Sequence, residues 1–354
     1  MKSIAKIQST LGKLVRSTLY ACAAVAVLSG NAAAAAKVRI GVVGSLSDAS
    51  IYIAEAKGYF KDEGIDAEII RFPNSAQMIA PIGAGQLDVA VGATSAGLYN
   101  SIGRGIDIKV VADKGSMPPG HGYVPLLVRK DLVDSGAFKS LKDLKGLRVG
   151  SQSPGGSALS LLNEALKKGG VPYKDVKISY MGHSQLAAAL QNKALDAAMV
   201  TEPNATRAVQ TGTVVRFSPQ ADQIYPSQQV AVVLYRGAFA RQEAATATKV
   251  MRAYIRATRD YNDALVNGKL TGKNSDEIIS ILSKSTNEKD PSIYKVATAH
   301  GCHPDGMVNV ASMKHDYEFF KEQGLITTPV DIDKVVDMSF ARAVVNELGP
   351  YKPK

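Results

Sequence analysis

Glycines and short polar side chains gather in a few loops of this sequence, and such groups are suited to binding a small molecule. The clearest case is Ser153-Pro154-Gly155-Gly156-Ser157, between a predicted strand and a predicted helix. Paired glycines let backbone N–H groups approach a ligand, and a helix N-terminus favours negative charge. We predict ligand contact at Ser153, Gly155, Gly156 and Ser157. The alternative is a plain strand-to-helix turn capped by Ser157.

A second group of polar side chains follows predicted strands in the first third of the chain. Hydroxyl and amide groups can hydrogen-bond a neutral or an anionic ligand without any change in pKa. The same residue types also cap helices, which is the alternative role for each of them. We predict ligand contacts at Ser45, Ser47, Asn74, Ser75, Gln77, Thr94 and Ser95.

Two acids and two histidines complete the predicted binding set. Asp48 and Glu202 stand at predicted helix starts, where the helix dipole stabilises a carboxylate. If either acid faces a ligand instead, it would recruit an amine or another N–H group. His121 and His183 lie in loops on the same side of the predicted sheets, so we predict that both contact ligand.

Catalytic and metal-binding motifs give no positive signal. The segment His300-Gly301-Cys302-His303 with Asp305 offers metal-ligand types, but its spacing matches no recognised zinc pattern. The sequence also lacks the G-x-S-x-G, H-E-x-x-H and CxxC motifs, and the loop at Ser153 lacks the Lys-Ser/Thr pair of a P-loop. We therefore expect no catalytic residue, no metal and no cofactor.

The elements that must position these residues alternate between short apolar runs and amphipathic stretches of helical period. This alternation predicts an α/β fold with mainly parallel sheets, in which ligands bind beyond the carboxyl ends of the strands. Predicted strands are 38–43, 65–72, 87–91, 108–112 and 147–150, and predicted helices are 48–59, 75–82 and 94–102. Later helices are predicted at 244–265, 275–283, 306–323 and 332–348.

The same unit occurs twice, at an offset of 108 to 109 residues. Arg39-Ile40-Gly41 matches Arg148-Val149-Gly150, and Leu87-Asp88-Val89-Ala90 matches Leu195-Asp196-Ala197-Ala198. A repeat of this length is a lobe rather than a solenoid module. We predict one lobe from residues 37–125 plus 230–354 and a second from 126–229. The strand-like segments 124–129 and 230–235 would join them, and the C-terminal helices would pack mainly on the first lobe.

The N-terminus indicates an exported protein, and the charge of the remaining chain gives no sign of a nucleic-acid partner. Of the 354 residues, 42 are Lys or Arg and 32 are Asp or Glu, but four basic residues lie in the first 36, which contain no acid. The remaining excess forms no run, so we expect no nucleic-acid partner. A basic start, an apolar stretch over 19–28 and alanines at 32–36 predict a signal peptide over residues 1–36, with lipidation of Cys22 as the alternative.

Several segments together resemble the substrate-binding proteins of ABC importers for nitrate, sulfonates and taurine, which share a fold with pyrimidine-precursor proteins. The resemblance rests on 52–54, Lys57-Gly58-Tyr59-Phe60, 63–65, Gly85-Gln86-Leu87-Asp88-Val89, Gly92, 146–150 and Glu202-Pro203. It covers residues 37 to 235 well and the C-terminal helices poorly. It implies a two-lobe periplasmic-binding-protein fold of type II, with two crossing strands and a pocket between the lobes. Because the chain has no tryptophan, Tyr52, Tyr99 and Tyr123 are the candidates to stack on a planar ligand.

The resulting hypothesis is a monomeric periplasmic protein that captures a small organic anion or polar metabolite and delivers it to an ABC permease. One alternative is an enzyme similar to the pyrimidine-precursor synthases, which by resemblance would use pyridoxal phosphate and a cysteine-rich iron motif. Only Cys302 remains after removal of the signal peptide, and no cysteine cluster exists. The other alternative is an extracellular sensor partner.

Overall fold

Twelve strands and sixteen α-helices form residues 35–353, which are the residues that the computed structural model describes. The predicted signal peptide therefore lies, up to residue 34, outside the described residues. The strands are β1 Ala36–Val42, β2 Ile65–Arg71, β3 Val89–Ala93, β4 Ile108–Ser116, β5 Leu126–Arg129, β6 Arg148–Ser151, β7 Lys177–Tyr180, β8 Ala197–Met199, β9 Val214–Arg216, β10 Gln229–Arg236, β11 Leu265–Val266 and β12 Lys269–Leu270.

The helices connect these strands and cover both faces of the sheets. They are α1 Ala49–Ala56, α2 Tyr59–Asp62, α3 Ile79–Gly83, α4 Ala96–Gly103, α5 Lys130–Asp134, α6 Ser157–Gly169, α7 His183–Gln191, α8 Asn204–Gln210, α9 Ala221–Ile224, α10 Gly237–Gln242, α11 Ala244–Asp263, α12 Ser275–Ser285, α13 Pro291–Val296, α14 Val310–Glu322, α15 Ile332–Val335 and α16 Ser339–Leu348. Short 3₁₀ turns lie at 46–48, 75–78, 141–144 and 173–175. No helix among these is long and apolar enough to cross a membrane.

Two five-stranded sheets with the same arrangement confirm the predicted two-lobe α/β fold. Sheet A has the order β2-β1-β3-β10-β4, and sheet B has the order β7-β6-β8-β5-β9. In each sheet the second and third strands of this order are parallel to each other. The fourth strand is antiparallel to the third and to the fifth. We call the lobe around sheet A lobe 1 and the lobe around sheet B lobe 2. The residue boundaries given above for the lobes stay a prediction.

The two segments predicted to join the lobes are strands of the sheets themselves. Residues 126–129 form β5 in sheet B, and residues 229–236 form β10 in sheet A. The chain passes between the sheets in the segments before them, 117–125 and 217–228. Each connecting segment is thus followed directly by the antiparallel strand of the sheet that the chain enters.

Equivalent arginine–aspartate clusters confirm the internal repeat at atomic detail. Asp88 accepts hydrogen bonds from the backbone N–H of Arg39 at 3.0 Å and from its guanidinium at 3.0 and 2.9 Å. Asp196 accepts the corresponding bonds from Arg148 at 3.0, 2.9 and 2.6 Å. The antiparallel strand of each sheet adds a second arginine to the cluster. These are Arg236 at 2.8 Å from Asp88 and Arg129 at 2.9 Å from Asp196.

The C-terminal helices pack less exclusively on lobe 1 than the sequence predicts. Helix α11 does pack against α1 of lobe 1, and Tyr254 and Tyr261 lie in the core there. Helix α14, however, contacts α6 of lobe 2, and the ring of Phe319 meets that of Tyr173 at 5.6 Å between centroids. The reason is that α14 buries Met313 and Phe320 in a hydrophobic cluster that contains residues of both lobes. The predicted helix at 332–348 is also two helices, α15 and α16.

The lobes touch where the N-termini of α4 and α6 meet. The backbone N–H of Ala96 donates to the carbonyl oxygen of Gly155 at 2.8 Å, and Ser95 forms an antiparallel bridge with Gly156. Gly155 has a φ of 66°, and a Cβ atom added to it would lie 2.7 Å from the Cβ of Ala96. Only glycine therefore allows this backbone approach.

We predict that Asp88→Asn and Asp196→Asn each lower the free energy of unfolding by about 2–3 kcal/mol, because each leaves partly buried arginines without their charged partner. Hydrogen bonds from Arg148 lower the pKa of Asp196. For Asp88, burial alone would raise the pKa, but bonds from Arg39 and Arg236 outweigh it and the net pKa is lowered. This stabilisation is present above about pH 4 and lost as pH falls further.

Urea unfolding at pH 7 and pH 3.5 measures these effects. Glu68→Gln is the matched control, because Glu68 pairs with Lys37 at 2.8 Å on the exposed surface, where such pairs contribute less than about 1 kcal/mol. An equal, small effect of all three substitutions would contradict a structural role for the repeated clusters.

We also predict that Gly155→Ala forces the lobes apart. The control Gly170→Ala has nearly the same backbone conformation, with a φ of 67°, but nothing within 4 Å of its added Cβ. Both variants should lose about 1–2 kcal/mol of stability from backbone strain. Small-angle X-ray scattering should show a larger radius of gyration for Gly155→Ala alone. An unchanged radius would show that the contact does not set the spacing of the lobes.

Candidate functional site

A cleft of about 720 Å³ lies at the carboxyl ends of strands from both sheets. Its walls come from the loops after β1, β2, β6, β7 and β8 and from one segment of the C-terminal region. Loops that follow strands are where ligands bind in open α/β sheets. It is lined by Val43, Gly44, Ser45, Leu46, Pro73, Asn74, Ser75, Gln152, His183, Thr201, Glu202, Pro203, Asn204, Arg207, Thr286, Asn287, Glu288, Lys289 and Asp290.

Five of the residues predicted to bind ligand line this cleft: Ser45, Asn74, Ser75, His183 and Glu202. Three of these come from lobe 1, where their side chains also support the loops. The Ser45 hydroxyl lies 3.1 Å from that of Ser47. Asn74 Oδ1 accepts from the N–H of Gln77 at 3.1 Å, and Ser75 Oγ accepts from that of Ala93 at 3.1 Å.

His183 is the first residue of α7 and brings an imidazole to the lobe 2 wall. Its Nδ1 atom is buried and has no hydrogen-bond partner in the protein. Burial lowers the pKa of His183 to about 4, because the charged imidazolium would be poorly solvated there. The ring is therefore neutral at pH 7 and offers a hydrogen-bonding group without charge.

Glu202 lines the cleft but directs its carboxylate into the protein. It lies 2.5 Å from the guanidinium of Arg216 and accepts backbone N–H bonds from Thr206 at 3.0 Å and Thr298 at 3.3 Å. The bond from Thr206 holds the first turn of α8. Glu202 thus plays the helix-start role that the sequence left open as the alternative to ligand contact.

Asp48 lies behind the cleft in a buried ion pair. Its carboxylate is 2.8 Å from Lys114 Nζ and accepts the backbone N–H groups of Ser45 at 2.9 Å and Val43 at 3.2 Å. Asp48 therefore fixes the loop after β1, and Ser45 at its mouth, without reaching the cleft itself.

The remaining predicted residues are not among those that line the cleft. Thr94 Oγ1 donates to the carbonyl of Gln229, Ser95 caps α4, and His121 Nδ1 lies 3.0 Å from the carbonyl of Ala299. The glycine-rich loop joins the lobes, and Ser157 Oγ donates to the carbonyl of Val230 at 3.3 Å. The residues placed outside the cleft lining are Ser47, Asp48, Gln77, Thr94, Ser95, His121, Ser153, Gly155, Gly156 and Ser157.

The tyrosines predicted to stack on a planar ligand are buried in the core. Tyr52, Tyr99 and Tyr123 are at most 2% exposed. Their rings pack against neighbours such as Tyr317 and His300 instead of facing the cleft. No aromatic ring other than the imidazole of His183 lines the cleft in the part of the chain that the structure describes.

The segment 286–290 forms a wall that the sequence did not reveal. The backbone N–H of Asn287 donates to the carbonyl of Gly44 at 3.0 Å, which fixes the segment to lobe 1. Glu288 forms a bidentate ion pair with Arg207 of α8 in lobe 2, with one contact at 2.6 Å. The run Asn287-Glu288-Lys289-Asp290 reads as an ordinary charged loop, and no local signal links it to the strand ends.

The charged groups of the cleft are already engaged. Arg207 pairs with Glu288, and Glu202 pairs with Arg216. Lys289 Nζ donates to the carbonyl of Lys284 at 3.0 Å, and Asp290 caps α13 through Ser292. The cleft therefore presents mainly neutral donors and acceptors, among them Gln152, Thr201 and Asn204.

The histidine–cysteine segment does not form a metal centre. His300 Nδ1 lies 2.8 Å from the hydroxyl of Tyr261, and Cys302 Sγ lies 3.5 Å from the carbonyl of Asp113. Within residues 35–353, no group of three or more His, Cys, Asp or Glu side chains could hold a metal ion. His300 and Cys302 are buried in lobe 1, whereas His303 is exposed.

Comparison with known proteins gives one family match and several structural likenesses. The family described as NMT1/THI5 like matches residues 47–263. A binding protein of Brucella abortus (strain 2308) is 30% identical over 167 residues, which are 47% of this chain and 48% of that protein. The chain thus spans about half the length of the curated relatives that it matches.

Solved structures share the fold across most of the chain. The periplasmic aliphatic sulphonate binding protein SsuA of Escherichia coli has a TM-score of 0.68 at 20% identity, covering 85% of this chain and 92% of that one. The periplasmic nitrate-binding protein NrtA of Synechocystis PCC 6803 has a TM-score of 0.69 at 15% identity, covering 88% and 89%. The desulfurization enzyme DSZB has a TM-score of 0.61 at 14% identity, covering 88% and 99%.

At these identities the solved structures establish the fold alone. The family match covers more than half of the chain and includes strands of both sheets. This chain belongs to the NMT1/THI5-like family.

Proposed function

We propose that this protein is the substrate-binding component of an ABC-type importer and captures a small organic anion or polar metabolite between its two lobes. The observation that carries the proposal is the cleft itself, whose walls come from the carboxyl ends of strands in both sheets. A ligand bound there touches both lobes, so that closure of the lobes would bury it. The family and the binding proteins among its structural relatives support the same function.

The chemistry of the cleft favours a compact polar ligand over a planar heterocycle. Amide and hydroxyl groups from both lobes face the space, including Asn74, Gln152 and Asn204. Stacking on an aromatic platform is a common way to hold a planar ring, and the described lining supplies only the imidazole of His183. We therefore place nitrate-like, sulfonate-like and carboxylate-like solutes ahead of pyrimidines.

We further propose that the cleft performs no catalysis. Glu202 and Glu288 form ion pairs, Asp290 caps α13, and Lys289 donates to a backbone carbonyl. A nucleophile beside a general base is the arrangement that hydrolytic or transfer chemistry needs, and the described lining does not contain it. The enzyme alternative would predict a borohydride-fixable absorbance after incubation with pyridoxal phosphate.

The proposal includes export to the periplasm and a permease as partner. It rests on the basic and apolar composition of residues 1–36 and on the relatives that are named as periplasmic. Delivery to a permease is the step that distinguishes a transport protein from a sensor partner of the same fold, and we expect a monomer to carry it out.

We predict that the chain without residues 1–36 carries or binds a small ligand. Native mass spectrometry of freshly purified protein should reveal an added mass that disappears on denaturation. A thermal-shift panel of nitrate, alkanesulfonates, carboxylates and pyrimidines should contain at least one compound that raises the melting temperature, because binding to the native state alone stabilises it. The absence of both an added mass and a shift would contradict the proposal.

We predict that Arg207→Gln weakens binding of the stabilising compound by roughly tenfold, which corresponds to about 1.4 kcal/mol. The substitution breaks the Arg207–Glu288 pair that holds the 286–290 wall against lobe 2. Isothermal titration calorimetry measures the effect. Arg241→Gln is the control, because Arg241 pairs with Asp107 on the exposed surface and does not line the cleft. Equal ligand affinities of the two variants would contradict a role for Arg207 in binding.

A further inference from the structure

Helix α14 lies between the two lobes and contacts both. On the lobe 1 side, the ring of Tyr317 meets that of Tyr99 on α4 at 5.4 Å, and Ser312 Oγ accepts the backbone N–H of Gln229 on β10 at 2.9 Å. On the lobe 2 side, His315 lies 2.9 Å from Glu164 on α6. The helix is therefore placed to restrain any motion of one lobe relative to the other.

Asp316 is the central polar group of this junction and is fully buried. Its Oδ1 atom accepts from the hydroxyl of Ser160 on α6 at 2.6 Å, and its Oδ2 accepts from Nε2 of Gln228 at 3.2 Å. Gln228 lies in the 217–228 segment that passes between the sheets, and its Nε2 also donates to the carbonyl of Ser157 at 2.9 Å. One carboxyl group thus links α14, lobe 2 and the passage between the lobes.

The partners of this carboxyl group are neutral. A buried carboxylate without a cation is costly, whereas the protonated acid can donate to the Ser160 hydroxyl, which accepts as readily as it donates. Burial raises the pKa of Asp316 to about 7, although hydrogen bonds from Ser160 and Gln228 oppose the rise.

Other ionisable groups lie around Asp316, and a pH effect at this junction has to be distinguished from their titration. Burial raises the pKa of Tyr99 and Tyr225 above their ordinary values, so both phenols stay neutral below pH 9. The groups that face Asp316 or flank it on α4, α6, α14, α15 and the 217–228 segment are Tyr99, Glu164, Lys314, His315, Tyr317, Asp333 and Tyr225. Among them, histidine is the residue type that ordinarily titrates near neutral pH.

We propose that α14 is a pH-sensitive tie between the lobes, in which Asp316 holds lobe 2 firmly when protonated and releases it when ionised. Opening the junction would hydrate the carboxyl group and return it to the behaviour of an exposed aspartate. The tied state therefore binds a proton between about pH 4 and pH 7 that the open state does not bind. Its advantage is complete at low pH and is lost as pH rises through neutrality.

Asp316→Asn tests the tie in the ligand-free protein, because it keeps the shape of the side chain and removes its charge. Wild type and variant should melt at similar temperatures near pH 4, and the variant should melt progressively higher than the wild type as pH rises to neutrality, by roughly 5–10 °C at pH 8.5. Small-angle X-ray scattering should show that the radius of gyration of the wild type increases over this range while that of the variant does not. A difference in melting temperature that stays constant with pH would overturn the proposal.

Two further variants keep the test decisive. His315→Gln removes the neighbouring histidine and should keep the wild-type pH profile, and a flattened profile would assign the titration to His315 instead. Ser160→Ala removes a hydroxyl that stabilises the carboxylate more than it stabilises the protonated acid, so it should move the transition to higher pH. If Asp316→Asn does not fold, an unshifted profile of Ser160→Ala overturns the proposal and a shifted one supports it. None of these measurements requires a ligand, so their outcome is independent of the proposed function.

Discussion

The backbone contact between Ala96 and Gly155 decides where the cleft can lie. It brings the N-termini of α4 and α6 together, and with them the sheet edges at which polar loops end. The cleft lies between the loops after β1, β2, β6, β7 and β8. The glycine-rich loop, which has the composition of a ligand-binding loop, serves to set the distance between the lobes.

Two further ties of different chemistry join the lobes. Arg207 and Glu288 form a charged pair at the cleft, and Asp316 forms neutral hydrogen bonds at the junction of α14. Burial alone would raise the pKa of Glu288, but hydrogen bonds from Arg207 outweigh it and lower the pKa. Acidification therefore weakens the first tie and strengthens the second. Closure of this fold can therefore depend on pH through groups that join the lobes, both at the cleft and away from it.

The sequence predicted the frame of the fold well, because the frame rests on patterns that are repeated along the chain. The match of Arg39 and Asp88 with Arg148 and Asp196 pointed to two lobes, and the structure places these residues in equivalent clusters. It also predicted most of the loops at the cleft, since strand ends fix their position. The roles of individual side chains are harder to predict, because Thr94 and Ser157 bond to carbonyls of β10 and Ser95 caps α4, uses that composition cannot distinguish from ligand contact. The wall at 286–290 and the placement of α14 depend on contacts between distant parts of the chain, such as Asn287 with Gly44, which leave no local pattern.

The proposed function requires that one small molecule lies between the lobes and touches both. A crystal structure of the protein with the compound that stabilises it would locate that molecule. We expect ligand density in the cleft, within hydrogen-bond distance of Asn74 or Ser45 on one side and of His183 or Asn204 on the other. Density bound to a single lobe, or at a surface away from the ends of the strands, would contradict it.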